Sequence, residues 1–85
     1  MNNLGEKPVL MWVPVDSLYV DHSYQRTIST RKGEKVISDI VLKFNWPLFQ
    51  PITITEREEG GYWVIDGQHR FTAAQRLKIR EIPAA

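Results

Sequence analysis

Tyr62-Trp63-Val64-Ile65-Asp66-Gly67-Gln68-His69-Arg70-Phe71-Thr72-Ala73-Ala74 changes its periodicity halfway along. The first four residues are aromatic or aliphatic, two of them β-branched, which suits a strand. Beyond Gly67 the apolar positions Phe71, Ala74 and Leu77 recur at helical spacing, and Ala73 is small enough to let a helix approach a sheet closely. A strand that turns at Asp66-Gly67 straight into a helix from about Gln68 to Leu77 is therefore predicted.

Upstream, Pro51-Ile52-Thr53-Ile54-Thr55 alternates and is rich in β-branched residues, and Glu56-Arg57-Glu58-Glu59-Gly60-Gly61 is a polar turn. The two apolar runs on either side make a β-hairpin. Further back, Val36, Ile37, Ile40, Val41 and Phe44 form one helical stripe. Ser29 or Thr30 can cap its front, Gly33 weakens its first turn, and Asn45-Trp46-Pro47 stops it, because the residue before proline is pushed out of helical angles. Trp46, Leu48 and Phe49 are expected to plug one end of the core. Val9 to Val13, ended by Pro14, reads as a first strand, and around Val15, Leu18 and Val20 either a second short extended piece or a 3₁₀ turn fits. Ile79, Ile82 and Pro83 begin a last strand that ends without a closing turn, as a fragment of something longer would.

The order is strand, helix, hairpin, helix, strand. It predicts an α+β domain, a small mixed sheet with two main helices, over residues 9–85, with residues 1–8 as a flexible lead-in. Length agrees, since 85 residues allow one core and not two. Hydrophobic residues at 42% and charged residues at 25% are globular proportions, which argues against disorder. A net charge of +1 argues against a protein that coats DNA through bulk charge. The chain has no cysteine, which excludes disulfides, thiolate chemistry and cysteine zinc sites. No run is long and apolar enough for a membrane span, and the start is no signal peptide, so a soluble cytoplasmic domain is expected.

Asp66-Gly67-Gln68-His69-Arg70 is the one concentrated chemical signal. The first turn of a helix offers unpaired N–H groups and the positive end of the helix dipole. Gly67 permits a close ligand approach, and His69 and Arg70 add donors that suit a phosphate. Each residue also has an ordinary role open to it. Asp66 can cap the helix or shape the turn, Gly67 can serve the turn alone, His69 can bond a neighbouring strand, and Arg70 can be a solvated charge.

Val64 to Ala74, with Asp66-Gly67-Gln68-His69-Arg70 at its centre, resembles the signature of the ParB/sulfiredoxin-like fold, the group that includes the domains called ParB-like nucleases. Tyr24-Gln25-Arg26 resembles the arginine-bearing segment after the first strand of these domains, and Pro51-Ile52-Thr53-Ile54 their central strand. The resemblance covers residues 9–83 and implies a shared phosphate-binding geometry with divergent functions. In sulfiredoxins the matching Gly-Cys-His-Arg binds ATP phosphates and carries the catalytic cysteine; Gln68 stands there in this chain, which excludes that reaction. In ParB partition proteins the matching Gly-Glu-Arg-Arg contacts CTP phosphates, and here Gln68 and His69 replace the glutamate and the first arginine. Free-serine kinases of this fold carry Asp-Gly-His-His-Arg and take phosphate from ADP; Asp66, Gly67, His69 and Arg70 match and Gln68 departs.

The resemblance implies a nucleotide-binding domain of a DNA-associated, phage or plasmid regulatory protein. Phosphates would rest on Gly67, Gln68, His69, Arg70 and Arg26, and the candidate ligands are CTP, ATP or ADP with magnesium. Arg26 would reach a phosphate or fix Asp66, or else pair with Asp21, and Tyr24 would pin its segment. A second reading is a non-catalytic interaction module using Trp12, Trp46 and Trp63. A third is a nuclease or phosphotransferase with Asp66 and His69 as catalytic groups, in which Asp66 would hold a metal with Asp16, Asp21 or Glu34. Arg26, Arg31, Lys32, Lys35 and Lys43, with Arg76, Lys78 and Arg80, make a weakly basic surface, while no helix-turn-helix, zinc finger or RNP-like strand pair is present. DNA contact is thus expected from other parts of a parent protein.

Overall fold

The computed structural model describes residues 4, 5 and 7–85, so the lead-in expected over residues 1–8 lies partly outside the described residues. Strand β1 (Met11–Pro14) leads through a 3₁₀ turn (Val15–Ser17) into β2 (Leu18–Tyr19). Both forms considered for this stretch are therefore present, one after the other. Helices α1 (His22–Ile28) and α2 (Arg31–Leu42) follow, then a second 3₁₀ turn (Trp46–Leu48). The hairpin of β3 (Thr53–Glu56) and β4 (Tyr62–Asp66) precedes α3 (Gln68–Arg76) and β5 (Glu81–Ala84).

The sheet is mixed, as expected. β4 lies between β2, to which it is parallel, and β3, to which it is antiparallel. β1 and β5 pair antiparallel, with Met11 opposite Ala84 and Val13 opposite Ile82. The two pieces are stitched together where Ile52 bridges Ala84, through Ile52 N–H to Pro83 C=O at 3.1 Å and Ala85 N–H to Ile52 C=O at 2.9 Å. Val13, Val15, Leu18, Ile52, Val64, Phe71, Ala74, Ile82 and Ala84 make one core between the sheet and α3.

Three α-helices stand where two main ones were expected. The additional one is α1, formed by the polar stretch from His22 that carries Tyr24-Gln25-Arg26. Asp21 caps this helix by accepting the Tyr24 N–H at 3.0 Å, and Tyr24 turns its ring into the protein. With only Tyr24 and the half-buried Ile28 as inward positions, α1 lacks the apolar stripe that makes α2 readable. Thr30 caps α2, accepting the Gly33 N–H at 3.0 Å. Gly33 does more than weaken that helix: a Cβ there would sit 2.5 Å from the Thr27 carbonyl oxygen, so the glycine is what lets α1 and α2 meet.

Two packing expectations are corrected. Trp46 and Leu48 remain 45% and 76% exposed, because their 3₁₀ turn lies on the outside of the core and only Phe49 packs inward. Leu77 is at the surface too, since α3 ends at Arg76 and the chain turns away.

Candidate functional site

β2 and β4 run parallel, and each hands over to a helix at its C-terminal end, β2 to α1 and β4 to α3. Crevices of this kind, at the carboxyl ends of parallel strands, are where open α/β sheets bind ligands. The β4–α3 turn is built on Gly67, at φ +95° and ψ 25°. A Cβ at Gly67 would fall 2.7 Å from Cγ2 of the fully buried Ile52 and 2.9 Å from Arg70 Nη2. The position thus demands glycine twice, for its left-handed angles and for its space.

Gly67 is also the N-cap of α3, and no side chain caps that end. The first helical bond runs from Phe71 N–H to Gly67 C=O at 2.9 Å. The N–H groups of Gln68, His69 and Arg70 have no acceptor among the described residues, and the first turn carries no acidic side chain. This end of α3 therefore presents unpaired donors and the positive end of the helix dipole.

The side chains divide. Asp66 is the last residue of β4, paired in register with Thr53, and it does not cap α3; its exposed carboxylate makes no bond or ion pair among the described residues. Gln68 folds back, its Nε2 donating to the Ile65 carbonyl at 2.9 Å. His69 meets no strand; it packs edge-on against the Tyr24 ring, with centroids 5.3 Å apart at 90°. Arg70 is no solvated charge, since its Nε donates to the Gln50 carbonyl at 3.1 Å and its Nη2 to the Pro51 carbonyl at 3.3 Å. It braces the segment leading into β3. Arg26 stands exposed in the last turn of α1 and pairs with neither Asp66 nor Asp21.

Tyr24 is the link between α1 and the site. It is buried, its hydroxyl lies 2.9 Å from Thr72 Oγ1, and Thr72 in turn donates to the Gln68 carbonyl at 3.0 Å. Burial raises the Tyr24 pKa above its ordinary value, opposed by the Thr72 bond and the nearby Arg76 charge. Sequence reading expected Tyr24 to pin its segment and missed Thr72 as the partner, 48 residues away. It also missed the bidentate pair in which Arg76 donates to Glu34 at 2.6 and 2.8 Å, clamping α3 to α2. That bond lowers the Glu34 pKa and raises the Arg76 pKa. Glu34 is thereby committed elsewhere, and among the described residues no group of three or more His, Asp or Glu side chains comes together as a metal site would need.

Arg57 is a further residue with no advance signal. Its guanidinium carbon sits 3.8 Å over the Tyr19 ring and 4.8 Å over the Trp63 ring, while Nη1 donates to the Gly60 carbonyl at 2.8 Å. This cation–π clamp fixes the tip of the β3–β4 hairpin against β2. Among the described residues no helix is long and apolar enough to cross a membrane.

Comparison with known proteins places these features in a family. Residues 20–85 match the family model described as the ParB N-terminal domain. The chain is 28% identical over 83 residues to an ATP-dependent L-serine kinase, SbnI, of Staphylococcus aureus, covering 98% of this chain and 30% of that protein. It is 32% identical over 80 residues to a nucleoid occlusion protein of a Geobacillus species, covering 93% of this chain and 27% of that protein. The chain thus spans less than a third of the curated relatives it matches. Among solved structures, the C-terminally truncated chromosome-partitioning protein ParB of Caulobacter crescentus, complexed with CTP-γ-S, superimposes with a TM-score of 0.67 at 20% identity, over 92% of this chain and 43% of that one. Sulfiredoxin of Arabidopsis thaliana superimposes with a TM-score of 0.60 at 22% identity, over 92% and 83%. At these identities the structural likeness shows a shared ParB/sulfiredoxin-like fold.

Proposed function

From the chain's membership of the ParB N-terminal domain family, we propose that it binds a nucleoside di- or triphosphate by its phosphates at the N-terminus of α3. The observation that carries the reading is the uncapped first turn, where the Gln68, His69 and Arg70 N–H groups stand without acceptors beside a glycine whose angles and space disfavour any side chain. The related ParB structure is a complex with CTP-γ-S, and a relative is named for its use of ATP. Both support a nucleotide ligand, with CTP, ATP and ADP the ones to compare.

His69 is the side-chain donor best placed for a phosphate, because its ring is held from one side by Tyr24. Arg26, exposed and unpaired, is free to swing toward the ligand. Arg70 acts through the turn: its bonds to Gln50 and Pro51 hold the turn against the strand that Gly67 touches. Magnesium would accompany the nucleotide on its phosphate oxygens, with the unpaired Asp66 carboxylate the acidic group next to the turn. The role is binding within a larger DNA-associated protein, in keeping with the share of its relatives that the chain spans.

An amide NMR titration with CTP, ATP and ADP, each with and without magnesium, tests the reading. Saturable shifts centred on Gly67 to Phe71, weakened in Arg26→Ala and His69→Ala proteins that keep the wild-type fold, are expected. Amides that stay unmoved at millimolar nucleotide would refute it.

A further inference from the structure

We propose that this domain self-associates without nucleotide, through the open edge of β1 and the tryptophan face beside it, the occupant of that face being a second copy of the chain. The proposal does not rest on the phosphate reading.

The Pro83 carbonyl is taken by Ile52 and the Ala85 N–H donates to Ile52, so residues 83 and 85 bond toward β3. By alternation, Ala84 and Ile82 bond toward β1, where they meet Met11 and Val13. The N–H and C=O groups of Trp12, and the C=O of Leu10 just before the strand, therefore point to the other edge of β1, and no hydrogen bond fills them among the described residues. Edges of this kind template pairing with another chain, and native proteins guard them with charge, bulges or proline. Here proline stands only at the two ends, Pro8 and Pro14, and no charged residue occurs between them.

The side chains agree. Val13 is buried in the core, so alternation puts Trp12, and Leu10 two residues before it, on the outer face. Trp12 packs edge-on against Trp46, with centroids 5.4 Å apart, which joins the strand to the 3₁₀ turn that also carries Leu48. Leu10, Trp12, Trp46 and Leu48 are 64%, 58%, 45% and 76% exposed. Together they offer on the order of 500 Å² of apolar surface, at the upper range for a monomer. The segment that brings Trp46 is uncharged from Phe44 to Thr55, in a chain that is 25% charged overall.

A two-fold axis through Met11 satisfies both observations at once. Antiparallel pairing of β1 with its copy draws Leu10 into the strand opposite Trp12 of the partner subunit, and the N–H and C=O groups of both residues in each copy then close four hydrogen bonds. Leu10 and Trp12 then become cross-strand neighbours on one face, twice over, flanked by Trp46 from each copy. Two copies bury roughly 1,000 Å², at the lower bound of specific interfaces, so a weak and reversible dimer is expected.

Sedimentation equilibrium of the 85-residue chain without nucleotide, up to roughly 500 µM, tests this. The expected result is a reversible approach to twice the protomer mass, weakened about tenfold or more by Leu10→Lys and by Leu48→Lys. Both sites are exposed, so the variants keep the wild-type circular dichroism. Hydrogen exchange adds a second readout, in which the Leu10 and Trp12 amides gain protection as concentration rises. A protomer mass throughout the range overturns the proposal and leaves the face to a different partner. A dimer in which those two amides exchange equally at every concentration overturns it as well, because the interface then lies elsewhere.

Discussion

Replacing Gly67 with alanine separates the two demands made on that residue. An L-residue held near φ +95° pays a left-handed penalty of about 1–2 kcal/mol. The new Cβ would also lie 2.7 Å from Ile52 Cγ2 and 3.1 Å from Ile52 Cβ. Ile52 is fully buried and fixed on both sides by its bonds to Pro83 and Ala85, so it has nowhere to retreat. Overpacking of this sort costs about 1–3 kcal/mol. The total, about 2–5 kcal/mol, is a large part of the roughly 5–10 kcal/mol expected for a domain of this size. Urea unfolding followed by circular dichroism should show that loss, and the melting temperature should fall by roughly 10–30 °C. Gly60→Ala is the control: its φ is +100°, but its Cβ would meet nothing within 4 Å, so only the backbone penalty applies. Equal losses in the two variants would refute the claim that Gly67 is fixed by its contact with Ile52.

Lys78 occupies the left-handed position after α3, at φ +58°, where Lys78 N–H bonds Gln75 and Ile79 N–H bonds Ala74; Lys78→Gly should stabilise the domain by about 1 kcal/mol in the same assay. Tyr24→Phe removes the bond to Thr72 and should cost about 1 kcal/mol. Because the folded pKa of Tyr24 is raised, its contribution is complete below the ordinary tyrosine value and is lost as pH rises through the raised one, so the variant should flatten the alkaline limb of stability against pH. Glu34 has a lowered folded pKa, so the Arg76 pair stabilises above the ordinary glutamate value and fades as pH falls through the lowered one; Glu34→Gln should flatten the acid limb.

Which parts of the fold the sequence makes legible follows from how far apart in the chain each cause and its effect lie. The strand-to-helix switch at Gly67 and the Thr30 cap on α2 are set by neighbours within four residues, and both read directly from spacing. Helix α1 is local as well, but its cap at Asp21 precedes a segment with only Tyr24 and Ile28 facing inward, too little periodicity to separate a two-turn helix from a polar loop. Trp46 and Leu48 were misplaced because apolar character alone does not say which side of the sheet a linker crosses.

The site residues divide in the same way. Residue type marked both Arg70 and Arg26 as phosphate ligands, since a guanidinium suits an anion wherever it stands. What tells them apart is tertiary: the carbonyls of Gln50 and Pro51, twenty and nineteen residues before Arg70, take its Nε and one Nη2 donor, while nothing described claims those of Arg26. A guanidinium bonded to backbone carbonyls through two of its donors is held in place, whereas a free one on a short surface helix can travel. Loss of Arg70 should therefore weaken binding through the turn and lower stability with it, and loss of Arg26 should weaken binding alone. Nucleotide affinity and urea stability measured on both variants separate an arginine that positions the turn from one that would contact the proposed phosphate.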